Sequence, residues 1–261
     1  MTSTPAPVAL VTGASRGIGR AIAQALAGRG ARVALHFREH RAAAKAVLAG
    51  LPGAGHQVFA ADISTAAGCA GLIEAVMGTF GQLDVLVNNA GIYEPHELKD
   101  LTFAGWQERW QRTIATNLDG PAHLSFLAAG QMLRQAAPVD AARGRGRIVN
   151  ISSRGAFRGE PTAPAYGAAK AGLNALGQSL AKALAPEGIY VFTLAPGWVD
   201  TDMAAPHLRG PRAAEILAQH PLGRVATPAE VGAAAAWLAL DAPAAMTGCI
   251  IDLNGASYLR T

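Results

Sequence analysis

PVALVTGASRGIGRAIAQALAGRGARVALHF, residues 7–37, is the stretch from which the fold is read. The apolar run Val8 to Thr12 has the character of a buried strand and gives way to a turn carrying Gly13, Gly17 and Gly19. A helical pattern follows from about Ile18 to Ala27, and Arg32 to Phe37 is a second apolar strand. Strand, glycine-rich turn, helix and strand form a βαβ unit. A helix that opens on such a turn aims bare N–H groups and the positive end of its dipole at one point, and glycine lets the backbone approach a pyrophosphate closely. The strand before the turn and the helix after it are the context that makes the glycines a nucleotide-binding signal. Ser15, Arg16 and Ile18 fall inside the same turn.

A second informative stretch is SSRGAFRGEPTAPAYGAAKAG, Ser152 to Gly172. If YGAAK opens a helix, Tyr166 and Lys170 are i and i+4 and their side chains rise from one face. An ammonium beside a phenol favours the phenolate, so Lys170 is expected to draw Tyr166 down from its ordinary value near 10. That would make Tyr166 a general acid/base for interconverting a hydroxyl and a carbonyl. Ser153, at the end of the apolar run RIVNIS, is placed to hydrogen-bond the same substrate oxygen.

Working outward, further apolar runs alternate with helical patterns. His56 to Asp62 reads as a third strand and LDVLVNNAG as a fourth, with Asn88 and Asn89 satisfying backbone groups at its end. A helix from about Trp106 to Ala129 carries Asn117; RIVNIS, IYVFTLAPG and CIIDLNG supply strands five to seven. PAEVGAAAAWLAL is an alanine-rich helix suited to close helix–helix contact, in the core or between subunits. With no repeat, linker or low-complexity segment, the expectation is one α/β domain over residues 1–261, with a core of about 7–256. It is a Rossmann-type doubly wound sheet of about seven parallel strands with helices on both faces.

Composition narrows the function classes. The chain has 261 residues, 51% hydrophobic and 15% charged, which is the make-up of a compact globular protein. Cys69 and Cys249 provide no disulfide framework, and the seven histidines are dispersed, so no metal site is expected. The start MTSTPAP is not a secretory signal, and GAAAAWLAL is too short to span a bilayer, so a soluble cytoplasmic protein without membrane contact is expected. The net charge of +4 comes from scattered arginines without aromatic interleaving, which argues against nucleic acid as a partner.

TGASRGIG and YGAAK, with Asp62, NNAG at Asn88 to Gly91, Asn117, Ser153 and APGWVDTDM from Ala195 in collinear order, resemble the short-chain dehydrogenase/reductase family from Val8 to about Gly255. The resemblance implies a catalytic set of Asn117, Ser153, Tyr166 and Lys170, with Asn117 holding a water that connects Lys170 to solvent. It implies a cofactor site of Gly13, Ser15, Arg16, Gly17, Ile18, Gly19, Arg38, Asp62, Ile63, Asn89, Ala90, Gly91, Tyr166, Lys170, Pro196, Gly197, Val199 and Thr201. Asp62 and Ile63 would flank the adenine, and Pro196 and Gly197 the nicotinamide. Arg38, at the end of the second strand where NAD-dependent proteins carry an acid, and Arg16 in the glycine turn favour a ribose 2′-phosphate and hence NADP(H), with NAD(H) the alternative and Glu39 the residue that could reverse the choice.

The variable lobe, about 202–227, and the neighbourhood of Phe103 would shape the substrate site. Two segments, near 102–108 and 136–146, read as surface-loop insertions. The chain is similar to 3-oxoacyl-[acyl-carrier-protein] reductases, which implies a ketone or 3-oxoacyl carbonyl and an acyl thioester among the substrates. Arg143, Arg145 and Arg147 would be the contacts for an acidic carrier, whereas Glu187 stands where those reductases often carry a basic residue. The alternatives are an NADP-linked dehydrogenase of a sugar, polyol or other secondary alcohol, and a non-catalytic NADP(H) sensor or scaffold. The family also implies a homotetramer, or a dimer.

Overall fold

The computed structural model describes residues 5–136 and 144–260. Strands β1 (Val8–Val11), β2 (Arg32–Phe37), β3 (Gln57–Ala60), β4 (Val85–Asn88), β5 (Gly146–Ile151), β6 (Ile189–Pro196) and β7 (Ile250–Leu253) form one sheet. Helices α1 (Gly17–Ala27), α2 (Arg41–Ala49), α3 (Ala66–Phe80), α4 (Phe103–Ile114), α5 (Gly120–Arg134), α6 (Gly155–Arg158) and α7 (Pro164–Leu184) alternate with the first six strands. α8 (Ala205–Leu208), α9 (Ala213–Ala218) and α10 (Pro228–Leu240) separate β6 from β7.

The strand order is β3-β2-β1-β4-β5-β6-β7, and every pairing is parallel. Because successive strand side chains point to opposite faces, the apolar runs supply two cores at once. Ala9 and Val11 of β1 join Val33, Val87 and Phe192 on the face covered by α1 and α10. Leu10 joins Leu86, Ile148 and Val191 on the face covered by α3 and α5. β1 lies between β2 and β4, so the chain winds outward in both directions from it and opens a crevice beyond the carboxyl ends of β1 and β4.

Two local expectations change. The helix expected from Trp106 to Ala129 is interrupted: a π turn, Ala115–Asp119, joins α4 to α5, and the Gly120 N–H reaches back to the Ala115 carbonyl. Pro121 at the start of α5 has no N–H to continue the α ladder. Residues 102–108 are not a loop insertion, because the Thr102 hydroxyl caps the Gly105 N–H at 3.3 Å and starts α4 there. Of the second expected insertion, 137–143 lies outside the described residues, and β5 begins at Gly146.

The alanine-rich α10 packs in the core against α1. Gly232 faces the backbone of Ala21 so closely that a Cβ would stand 2.7 Å from its carbonyl oxygen. A capping box fixes the start of α10, with Thr227 and Glu230 bonding each other's backbone. Among the described residues, no helix is long and apolar enough to cross a membrane.

Gly232→Val should destabilise the protein by about 1–3 kcal/mol through overpacking of α1 on α10. Gly71→Ala, in open space on the solvent side of α3, should instead stabilise it by up to about 1 kcal/mol. Urea unfolding of the two variants beside the parent checks both signs.

Candidate active site

The crevice is lined from the glycine turn to the lobe after β6 by residues at the ends of six strands, β1 to β6. Gly13 and Gly17 have φ of +65° and +54°, conformations that side chains resist. Gly19 passes against the Gly13 carbonyl with no space for a methyl group between them. The turn is held from below by three polar side chains. Thr12 Oγ1 accepts from the N–H groups of Asn89 and Ala90, each at 2.9 Å, and Asn89 Nδ2 donates to the Thr12 carbonyl at 2.8 Å. His36 Nδ1 accepts from the Gly13 N–H at 3.2 Å while its Nε2 bonds the Ala61 carbonyl at 3.1 Å. Asn88 points elsewhere than expected: its amide meets Ser125 Oγ at 3.1 Å and Asn150 Oδ1 at 2.9 Å, side chains rather than backbone.

Ser15, Arg16, Gly17, Ile18 and Gly19 line one end of the crevice, and Arg38, Glu39 and His40 stand at the same end. Arg38 Nη2 pairs with Glu39 Oε1 at 2.8 Å, so neither side chain displaces the other from the wall. Asp62 is held ionised by its hydrogen bonds from the Ser64 hydroxyl and N–H, which lower its carboxyl below the usual range. Ile63, Asn89, Ala90 and Gly91 continue the lining, with Pro196, Gly197, Val199 and Thr201. Gly197 lies so near Asn254 that a Cβ would stand 2.9 Å from the Asn254 Cβ.

Ser153, Tyr166 and Lys170 meet in the middle of the crevice. α7 opens at Pro164, which places Tyr166 in its first turn and Lys170 one turn on. The Ser153 hydroxyl hydrogen-bonds the Tyr166 phenol and accepts from the Gly155 N–H at 3.0 Å. Lys170 Nζ lies 5.7 Å from the centre of the Tyr166 ring and donates to the Ile151 carbonyl at 2.7 Å.

The electrostatics correct the expectation for Tyr166. Burial pushes its phenol up to about 12, outweighing the Ser153 hydrogen bond, and Glu160 and Tyr93 push the same way. Lys170 does not pull it down, because its ammonium is itself buried and directed at the Ile151 carbonyl. Burial lowers Lys170 to about 8. The Tyr166 phenol is therefore protonated at neutral pH.

Asn117, in the π turn, is fully buried, and its amide clamps Ile92: Oδ1 accepts from the Ile92 N–H and Nδ2 donates to the Ile92 carbonyl, each at 2.8 Å. Gly91 runs between Asn117 and Lys170, where a Cβ would stand 3.3 Å from Asn117 Oδ1 and 3.6 Å from Lys170 Nζ.

Sequence reasoning missed Thr12 and His36 under the turn, and Tyr93, Arg154, Glu160, Trp198 and His207 in the lining. Tyr93 stands two residues after NNAG and Trp198 lies within APGWVDTDM, which is a signal of position although not of role. The proposed contacts for a carrier also change. Arg147 is buried, with its guanidinium donating to the Leu238 and Ala242 carbonyls at 3.1 and 2.8 Å and lying over Tyr190 and Phe192. Arg145 donates to the Gln135 carbonyl at 2.9 Å, Glu187 is exposed, and Arg143 lies outside the described residues.

Burial holds the folded-state value of His36 below the usual imidazole value of 6.5. As pH falls through about 6.5 the unfolded chain therefore takes up the proton first, and stability drops from there downward. His36→Asn, whose Oδ1 can accept the Gly13 N–H at any pH, should lose less stability between about pH 7.5 and about pH 5. Equal acid slopes for parent and variant in chemical unfolding would remove His36 from that transition.

Residues 13–255 match the family model described as Enoyl-(Acyl carrier protein) reductase. The chain is 38% identical over 253 residues to the 3-oxoacyl-[acyl-carrier-protein] reductase FabG of Escherichia coli, covering 97% of each protein. Among solved structures it is similar to one described as "a putative NAD(P) dependent gluconate 5-dehydrogenase" from Beutenbergia cavernae with bound NADP at low occupancy. That similarity has a TM-score of 0.84 and 34% identity over 96% of each chain. A short-chain dehydrogenase/reductase of Brucella melitensis, described as glucose/ribitol dehydrogenase, has a TM-score of 0.86 and 31% identity over 97% of each chain. With its glycine turn, parallel sheet and Ser153–Tyr166–Lys170 crevice, this oxidoreductase belongs to the short-chain dehydrogenase/reductase family.

Proposed function

We propose that the protein is an NADPH-dependent reductase of a ketone or 3-oxoacyl-type carbonyl, giving a secondary alcohol, with Tyr166 as the proton donor. The observation that carries the reading is the Ser153–Tyr166 hydroxyl pair, beside a buried Lys170, in a crevice that opens on the glycine turn. The crevice suits a dinucleotide: Gly13 and Gly19 leave a cradle that a Cβ would fill, α1 opens on it, and Arg16 and Arg38 bring positive charge to one end. NADP(H) is the cofactor in this reading. When bound, it supplies the hydride that the carbonyl carbon accepts.

The residues of the chain do the rest. Ser153 and Tyr166 hold the carbonyl oxygen by two hydrogen bonds, and the Tyr166 phenol, protonated at neutral pH, passes its proton to that oxygen. The phenolate left behind keeps the hydrogen bond from Ser153, and the Lys170 ammonium, one helix turn on, is the proton source for its resupply. Asn117 holds Ile92 and with it the wall beside Lys170, the position from which proton resupply by water is proposed. The reading takes the chain as one domain, with residues 202–227 as the substrate lobe. Phe103 and Phe126, 76% and 78% exposed on α4 and α5, suit a homo-oligomer, tetramer or dimer.

A second reading, an NADP-linked dehydrogenase of a sugar, polyol or other secondary alcohol, uses the same residues in reverse. It is favoured by the polar lining near Tyr166, where Tyr93 Oη meets Thr162 Oγ1 at 2.8 Å beside Glu160. The sensor or scaffold reading has no use for a proton-donating tyrosine.

Tyr166→Phe should lower turnover by about 10²–10⁴-fold and leave NADPH binding nearly intact. NADPH oxidation with acetoacetyl thioesters, diketones and β-keto esters, set beside fluorescence titration of NADPH, measures both. Parent-like turnover in the variant would sink the assignment. The pH profile is a second check. The Lys170 ammonium is present below its value of about 8 and lost above it, so reduction should weaken as pH rises through about 8. Lys170→Gln should lack that alkaline decline at its own lower rate.

A further inference from the structure

The substrate end of the crevice carries a charge that proton donation does not use. Arg154 directly follows Ser153 and lines the crevice, yet it is only 3% exposed. Its Nη1 donates to Ser257 Oγ at 2.7 Å and its Nη2 to Gln219 Oε1 at 3.1 Å. Both acceptors are neutral. Among the described residues no carboxylate lies within ion-pair distance of this guanidinium; Glu160, the acid in the same lining, approaches Arg158 at 4.0 Å instead.

Arg154 and Arg158 therefore share one carboxylate on a single wall. Burial, with the repulsion of Arg158 added, brings Arg154 down to about 10 against the pull of Glu160, and burial raises the Glu160 carboxyl against the pull of both arginines. A buried guanidinium without a paired anion is costly, and its planar fork fits a carboxylate. The rings of Tyr93, His207 and Trp198 stand in the same lining, with Tyr93 5.1 Å from Tyr166 and His207 6.2 Å from Tyr93, and offer apolar walls for a short carbon chain.

We propose that Arg154, with Arg158, forms a carboxylate-binding subsite, and that the substrate is a free keto acid, or the matching hydroxy acid in reverse, rather than a neutral thioester or sugar. The proposal rests on the crevice being a carbonyl-reducing site. It gives Arg154 a role beyond tying Ser257 and Gln219 to the loop after β5. Ser257 and Gln219 take one hydrogen bond from each terminal nitrogen of a group that carries five N–H donors.

The experiment compares 3-oxobutanoate, 4-oxopentanoate and 5-oxohexanoate with their methyl esters, in NADPH-linked reduction by the full chain and by Arg154→Gln, Arg154→Lys and Arg158→Gln. At one chain length the acid should exceed its ester in kcat/KM by about tenfold or more in the parent. Arg154→Gln should erase that preference through the KM of the acid, and Arg154→Lys should keep part of it. If Arg154→Gln does not fold, Arg158→Gln carries the same comparison with a smaller loss. Esters used as well as acids by the parent would overturn the subsite. So would acid and ester rates falling together in the variants, the result expected of a structural tie alone.

If neither acids nor esters are reduced, the reductase reading fails by itself, and calorimetric binding of 4-oxopentanoate and its methyl ester to the NADP+-saturated protein decides the subsite. Acid-selective binding that weakens in Arg158→Gln supports it. Equal binding, or none, overturns it.

Discussion

Where Gly19 passes the carbonyl of Gly13 there is no room for a side chain, and the crevice is built on that contact. It sets α1 down on β1 with its first N–H groups facing the carboxyl edge of the sheet. Thr12 and Asn89 then lock the ends of β1 and β4 together through three short hydrogen bonds, and His36 closes the turn from β2. On the far side of α1, Gly232 of α10 approaches Ala21 as closely, so the helix is gripped between sheet and helix. Both contacts depend on a missing methyl group. They make the position of the turn a packing consequence rather than a loop preference.

Burial is the dominant electrostatic influence on the three charged or titratable side chains at the centre. It raises Tyr166, lowers Lys170 and lowers Arg154, each against the charged form. A phenol kept protonated is a donor, and a lysine near 8 is a cation whose charge is readily lost. Both properties arise because the parallel strands end side by side, so that Ile151 offers its carbonyl to Lys170 while Ser153 hydrogen-bonds the phenol. Asn117 belongs to the same arrangement. An uninterrupted helix would give the turn between α4 and α5 a different helical phase, and the π turn brings the amide onto Ile92.

The order of strands and helices was legible because apolar runs buried on both faces have few other uses, and glycines at a strand–helix junction have fewer still. Tyr166 and Lys170 were legible because a helix converts their spacing into proximity, and Ser153 because it stands at the end of an apolar strand. The residues that escaped notice did so for definite reasons. His36 looks like any residue of an apolar strand, and its role appears only when Gly13 and Ala61 are brought to its two nitrogens. Arg147 looked like a surface charge in an arginine-rich stretch, but its guanidinium is buried against the end of α10, some ninety residues away in the chain.

Local chemistry therefore determined the class of fold, the glycine cradle and the Ser153, Tyr166 and Lys170 set, since each is written in residues close together in the chain. Tertiary structure alone decided the direction in which Tyr166 and Lys170 shift, the π turn at Asn117, and the placing of Arg154 between Ser257 and Gln219. The physical reason is that burial, and the choice of hydrogen-bond partner that comes with it, depends on segments that meet only when the sheet closes.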